Sequence, residues 1–218
     1  VEGVAIVNTD DFIAALSADA ALKGPSLPRR LAFALALGAV VSLILFVAAI
    51  GPRADAAHAM RTMRYDLKFL DTLALLAPSF FLCLGLARPQ TTPGALLGWL
   101  LAPIAVLAAG VAVELATVPQ DEWMAKLIGA NALHCLTVVP LFSLPPLAAL
   151  IWALREGAPS YPALTGALAG AASAGVAATL YASNCPDDSP LFVATWYPLA
   201  TAFVMALGAL AGRAWLRW

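Results

Sequence analysis

LAFALALGAVVSLILFVAAI, running from Leu31 to Ile50, is a stretch of twenty residues without a single charge. At about 1.5 Å rise per residue a helix of that length is about 30 Å long, the thickness of a bilayer's hydrocarbon core. No backbone group inside lipid can turn to water for a partner, so an apolar run of this length reads as a spanning helix. It is also longer than the roughly 7 to 15 apolar residues of a signal peptide, and a polar segment precedes it. Five more stretches pass the same test: about 67–87, about 93–115, 131–154, 162–183 and 191–211. The expected fold is therefore all-α, a polytopic bundle of six transmembrane helices with a short N-terminal amphipathic helix. The division is 1–28 for a cytoplasmic N-terminal segment and 29–218 for the membrane domain.

Composition agrees. Of 218 residues, 62% are apolar and 11% charged, less than half the roughly 25% charge of a soluble domain. Too little polar surface exists to cover a water-soluble core, and six helices with short loops leave no room for a soluble catalytic domain. The net charge of -1, with no basic run beyond Arg29-Arg30, gives nucleic acid no electrostatic footprint. Seven of the twelve Lys and Arg fall on the side of the N-terminus: Lys23, Arg29, Arg30, Arg88, Arg155, Arg213 and Arg217. Arg53, Arg61, Arg64, Lys68 and Lys126 fall on the other. That bias of seven to five favours the inside for both termini. Trp99, Trp152, Trp196 and Trp215 near span ends, with Trp123 and Trp218 just outside, suit interfacial anchors.

The N-terminal segment carries its own signal. Thr9 reads as a helix cap followed by Asp10 and Asp11 near the positive end of the dipole. Phe12, Ile13, Leu16 and Ala20 recur at helical spacing, and Lys23-Gly24-Pro25 ends the pattern. An interfacial anchor would be basic on its polar face. This helix carries Asp10, Asp11 and Asp19 instead, which suits a groove on a basic protein partner.

Counting crossings places the cysteines. Cys135 opens the fourth span and Cys185 follows the fifth, so one complete hairpin separates them and both lie at the same face. Cys83 lies about 24 Å down the second span, at the opposite face. His134, Asp187 and Asp188 flank the pair as auxiliary metal or polar neighbours, and two thiolates suit a soft metal ion bound transiently. No other cofactor is required. The pair is a candidate for redox or thiol-ligand sensing.

Lys68 and Asp71 stand three apart and could pair with each other, and both lie near enough to the helix end to snorkel to the interface. Pro140, Pro145 and Pro146 predict a kinked or locally open fourth helix. Gly166 and Gly170, and Gly208 and Gly212, form small-residue stripes that predict close packing of the last two helices. No catalytic constellation is present and no small-molecule substrate is implied. The alternatives are a membrane thiol-disulfide oxidoreductase, which would present a CxxC pair, or a small transporter, which would show an inverted repeat.

Several motifs together resemble a known family. They are Thr9-Asp10-Asp11-Phe12-Ile13-Ala14-Ala15-Leu16, His134-Cys135-Leu136, Ser143-Leu144-Pro145-Pro146-Leu147 and Arg155-Glu156-Gly157-Ala158-Pro159. Cys185-Pro186-Asp187-Asp188-Ser189-Pro190-Leu191-Phe192-Val193, Trp196-Tyr197 and Arg217-Trp218 complete the set. Over residues 9–218 the chain resembles the NrsF-like membrane anti-sigma factors of proteobacteria, negative regulators of an extracytoplasmic-function sigma factor. The resemblance implies six inner-membrane helices, an N-terminal segment that holds the sigma factor, and two periplasmic-side cysteines that sense heavy-metal or oxidative stress. By position these are Cys135 and Cys185. The acidic helix, through Asp10, Asp11, Phe12, Ile13 and Leu16, becomes the candidate sigma-binding element.

Overall fold

The computed structural model describes residues 8–19, 25–89 and 94–217, and among them every regular element is helical. Helix α1 covers Thr9–Asp19, α2 Leu27–Ala49, α3 Ala56–Ala59, α4 Met63–Leu86, α5 Leu101–Thr117, α6 Trp123–Ile128, α7 Ala132–Leu154, α8 Pro162–Ala182 and α9 Pro190–Trp215. Six segments are long and apolar enough to cross a membrane: α2, α4, Leu97–Thr117, Gln120–Leu154, α8 and α9. The expected boundaries shift for local reasons. Helix α2 begins at Leu27, ahead of the apolar run, because Pro28 is tolerated in a first turn whose N–H groups have no intrahelical partner. The third span opens as the 3-10 turn Ala95–Leu100 before α5. Asn8, not Thr9, caps α1: its Oδ1 accepts the Asp10 N–H at 3.1 Å. Residues 20–22 of the expected helix, the Leu16 side chain, Pro93 and Trp218 lie outside the described residues.

Buried side chains fall into two clusters, one at each end of the bundle. Leu31, Cys83, Leu86, Leu154, Leu168 and Leu216 belong to the first, where α2 begins and α4, α7 and α9 end. Phe46, Cys135, Tyr181, Cys185, Phe192 and Tyr197 belong to the second. The chain enters α2 at the end opposite Cys135 and Cys185. Helix α8 runs through the middle, buried at almost every position from Thr165 to Ala178. Its small residues let neighbours approach to backbone contact. A Cβ on Gly166 would stand 2.1 Å from the Gly208 carbonyl oxygen, and one on Gly208 would stand 2.2 Å from that of Gly166. Outside, Phe33, Ile44, Val47, Ile104, Val113 and Leu210 are exposed, far more apolar surface than water tolerates on one monomer.

Helix α7 is continuous through Pro140, Pro145 and Pro146, where the sequence predicts a kink or a local opening. Its contact with α2 explains how. Pro146 has no N–H to give the Phe142 carbonyl one turn back, and Ser42 Oγ of α2 donates to that carbonyl at 2.7 Å. Gly38, one turn earlier on α2, lets the Pro146 backbone close in: a Cβ there would be 2.3 Å from Pro146 Cα. Phe46, one turn later, packs edge-on against Phe142 at 5.8 Å.

Replacing Gly208 with Leu must separate α8 from α9, since the clash is with backbone. We expect a loss of about 1–3 kcal/mol or more, read as a lowered unfolding midpoint in detergent micelles, while Leu210→Ala on the exposed face of α9 stays near wild type.

Candidate functional site

Residues 183–189 join α8 to α9, and nearly every polar group from Cys185 to Ser189 is spoken for. Asp187 Oδ2 accepts three hydrogen bonds, from the Ala130 N–H at 3.1 Å and from the Asn131 N–H and Nδ2 at 2.9 Å each. It therefore sits against the start of α7, where a negative charge meets the positive end of the helix. Gly129 makes the approach possible. Its φ is +61°, and a Cβ would stand 2.4 Å from the Phe192 ring and 2.9 Å from Asp187 Oδ2.

Asp188 faces the other way. Its Oδ1 lies 2.5 Å from Lys68 Nζ and its Oδ2 2.9 Å from Arg53 Nη1. Lys68 is 1% exposed and also donates to the Cys185 carbonyl at 2.8 Å. The expected Lys68–Asp71 pair does not form, and Lys68 does not snorkel: the 185–189 loop folds over the ammonium and supplies better-placed oxygens. Arg53 is anchored in turn by Asp55, at 2.6 and 2.7 Å. Hydrogen bonding to Asp55, seconded by Asp188, raises the Arg53 pKa, and the same bond lowers that of Asp55.

Ser189 caps α9. Its Oγ accepts from the Leu191 N–H and donates to Glu114 Oε2 at 2.7 Å, and the Leu191 N–H also reaches that oxygen at 3.1 Å. Glu114, the last charge of the third span, is thus a buried carboxylate at the N-terminus of α9. Arg64 Nη2 lies 3.4 Å from its Oε1, an ion contact without hydrogen-bond geometry. One short loop consequently fastens α4, α5, the entry to α7 and the segment after α2.

The loop holds the thiols in place. Cys135 and Cys185 share one buried cluster, each 0% exposed, and both are free. Cys135 lies in the first turn of α7, its N–H bonded to the Asn131 carbonyl at 2.8 Å. Cys185 Sγ is 3.9 Å from the Asp187 carbonyl oxygen. Burial pushes the Cys185 thiol pKa up. The Tyr181 hydroxyl and the Lys68 ammonium pull it down more weakly. Tyr181 also stacks near Tyr197, at 6.0 Å, and near His134, at 5.7 Å.

His134 is itself exposed and the Asp187 and Asp188 oxygens are engaged elsewhere; among the described residues no group of three His, Cys, Asp or Glu converges as a metal site. Cys83 lies in the other cluster, 3.7 Å from the Thr165 carbonyl. At the far end of the chain's path, Asp10, Asp11, Phe12 and Ile13 of α1 are exposed, Phe12 and Ile13 each at 56%. Sequence reasoning missed Arg53, Asn131, Tyr181 and Ser189, and gave Lys68 the wrong partner. A usable signal existed for Lys68, because counting crossings puts it on the same face as Asp188.

Removing one partner of a buried ion pair strands the other. Asp188→Asn, which leaves the buried Lys68 ammonium without its carboxylate, should cost roughly 3–5 kcal/mol and loosen the loop. Lys68→Met combined with Asp188→Asn should recover part of that loss. Thermal unfolding in micelles reads the stability, and the rate of maleimide labelling at Cys185 reads the loop.

Comparison with known proteins bears on this arrangement. The family described as NrsF, negative regulator of sigma F, matches residues 16–218. The anti-sigma-F factor NrsF of Caulobacter vibrioides is 35% identical over 217 residues, covering 97% of this chain and all of that protein. A probable anti-sigma-F factor NrsF of Azospira oryzae is 31% identical over the same lengths. No solved structure matches the chain. With the match running through every spanning helix and the 185–189 loop, the chain belongs to the NrsF family of negative regulators of sigma F.

Proposed function

We propose that this protein is a membrane-embedded anti-sigma factor that holds an extracytoplasmic-function sigma factor at the cytoplasmic face of the inner membrane. It releases the sigma factor when Cys135 and Cys185 are oxidised or bind a soft metal ion. The observation that carries the reading is the placement of the two thiols in one buried cluster, at the end of the bundle opposite the start of α2. The sigma partner follows from the family, whose relatives are named as anti-sigma-F factors. Six long apolar helices with apolar outer faces support the membrane setting.

The chemistry is that of a guarded thiol pair. Buried protonated thiols react slowly, so the site is quiet while the loop stays closed. Once water reaches Cys185, the neighbouring Lys68 ammonium favours its thiolate. Oxidation then joins two thiols into a disulfide, with two protons released and two electrons passed to an oxidant such as chromate. A cadmium ion would instead take both sulfurs as thiolates, again with loss of two protons. Either product draws the start of α7 toward the 185–189 loop. The change favours release only if the altered packing binds sigma less well than the resting one.

Helix α7 can pass the change on. Pro140, Pro145 and Pro146 leave the carbonyls one turn before them without intrahelical donors, so the helix deforms cheaply there. It touches α2 at Phe142–Phe46, at Pro146–Gly38 and, beyond its end, through the Glu156–Arg30 ion pair. Helix α2 leads directly back to the N-terminal segment, where Asp10, Asp11, Phe12, Ile13 and Leu16 are the proposed sigma contacts.

Two measurements test this: expression from a sigma-dependent promoter after cadmium or chromate, and co-purification of sigma from membranes. Cys135→Ser and Cys185→Ser should each keep sigma bound and lose induction by about tenfold or more, the scale of one allosteric coupling. Full induction in both variants would refute thiol sensing. Deleting residues 9–19 should give constitutive expression, and sigma that still co-purifies with that deletion would remove the N-terminal helix from the binding role.

A further inference from the structure

Among the described residues, Asp71 has no ion-pair partner. It lies on α4 one turn beyond Lys68, whose ammonium is taken by Asp188 and the Cys185 carbonyl. The Asp71 side chain is 7% exposed, and its Oδ1 is buried without a hydrogen bond. It lines a half-open cleft of about 250 Å³ between α4, α5, α8 and α9, compared with roughly 150 Å³ for a cavity that takes a benzene ring. Leu107, Ala171 and Ala178 make the apolar wall, and Thr72, Thr201 and Tyr197 add hydroxyl-bearing side chains. The Tyr197 hydroxyl is likewise buried without a partner. Ile104 and Pro198, at the rim, are exposed on the outer face of the bundle.

A carboxylate in an apolar medium needs an opposite charge or a set of donors. Among the described residues, no Lys, Arg or His lines the cleft. No described residue supplies that charge, and the mouth of the cleft faces the surface that would meet lipid, so a ligand entering from there can supply it. An ammonium group carries three donors and no acceptor, which matches a carboxylate accompanied by hydroxyl oxygens, and an apolar tail matches the remaining wall.

We propose that this cleft binds a membrane-soluble primary amine, with Asp71 as its counter-ion and the apolar wall holding the alkyl chain. The proposal rests on the bundle alone, independently of the sigma and thiol readings.

The test uses the full chain in phosphatidylcholine nanodiscs, titrated with decylamine, decanol or decane, and reads the unfolding midpoint, which rises with any ligand that binds only the folded state. Decylamine should raise the midpoint of the wild type in a saturable way, and decanol and decane should not. Asp71→Asn should weaken the apparent affinity by roughly 10- to 150-fold, the loss expected for one charge-assisted hydrogen bond. Ile104→Trp, at the exposed rim, should block the cleft without lowering the midpoint in the absence of amine, and it decides the question if Asp71→Asn fails to fold. Equal stabilisation by decanol, or undiminished decylamine binding in Asp71→Asn or Ile104→Trp, would overturn the assignment.

Discussion

An ammonium group buried one turn inside an apolar helix sets the terms for everything at the thiol end of this bundle. Lys68 is 1% exposed, and a desolvated charge persists only where oxygens surround it. The 185–189 loop supplies them from its own backbone and from Asp188, so the loop cannot leave without stranding the lysine. Because the Cys185 carbonyl is among those oxygens, the position of the thiol and the solvation of Lys68 are one problem with one solution. Asp187 then fixes the start of α7 and Ser189 the start of α9. Each bond is modest. Their shared dependence on one short segment makes the end cap cooperative.

The opposite end is built on a different principle. There the helices meet through small side chains, with Gly166 and Gly208 placing backbone on backbone, and among the described residues no buried ion pair holds them. Such contacts tolerate no added methyl group but carry no charge that must stay paired. Helix α8, small-residued and central, connects both ends and is the least able to change, since its neighbours have no slack. Movement between the ends runs more easily through α7, where three interior prolines remove more ladder hydrogen bonds than the single proline inside α4 or α9.

Much of this was legible in the sequence. The six spans follow from long, mostly apolar runs, and the cysteines' relation to the two ends of the bundle follows from counting crossings. What escaped was local and depended on partners far along the chain. Asn8 and Thr9 are both good caps by residue type, and only backbone geometry selects Asn8. Helix α6 is too short for periodicity to announce. Lys68 and Asp71 were read as a pair because helical spacing makes them neighbours, yet a loop 117 residues away offered Lys68 closer oxygens. The three prolines predict a kinked or locally open α7; the helix stays continuous, and a serine on another helix replaces one of the donors they remove.

That replacement bears on how a change at Cys135 can be felt across the bundle. A regular helix resists local bending because each turn's hydrogen bonds are its own. In α7 the Phe142 carbonyl depends instead on Ser42 of α2, and Gly38 has removed the side chain that would keep the two backbones apart. Tilting the first turns of α7 therefore strains a bond that belongs half to α2, and the lowest-energy response is for α2 to follow rather than leave a buried carbonyl unpaired. Leu31, Ala34, Gly38, Ser42 and Phe46 form the single buried stripe of α2, and all its other faces are free of such ties. The helix nearest the N-terminal segment is thus fastened mainly along the one seam where the cysteine-bearing helix is weakest.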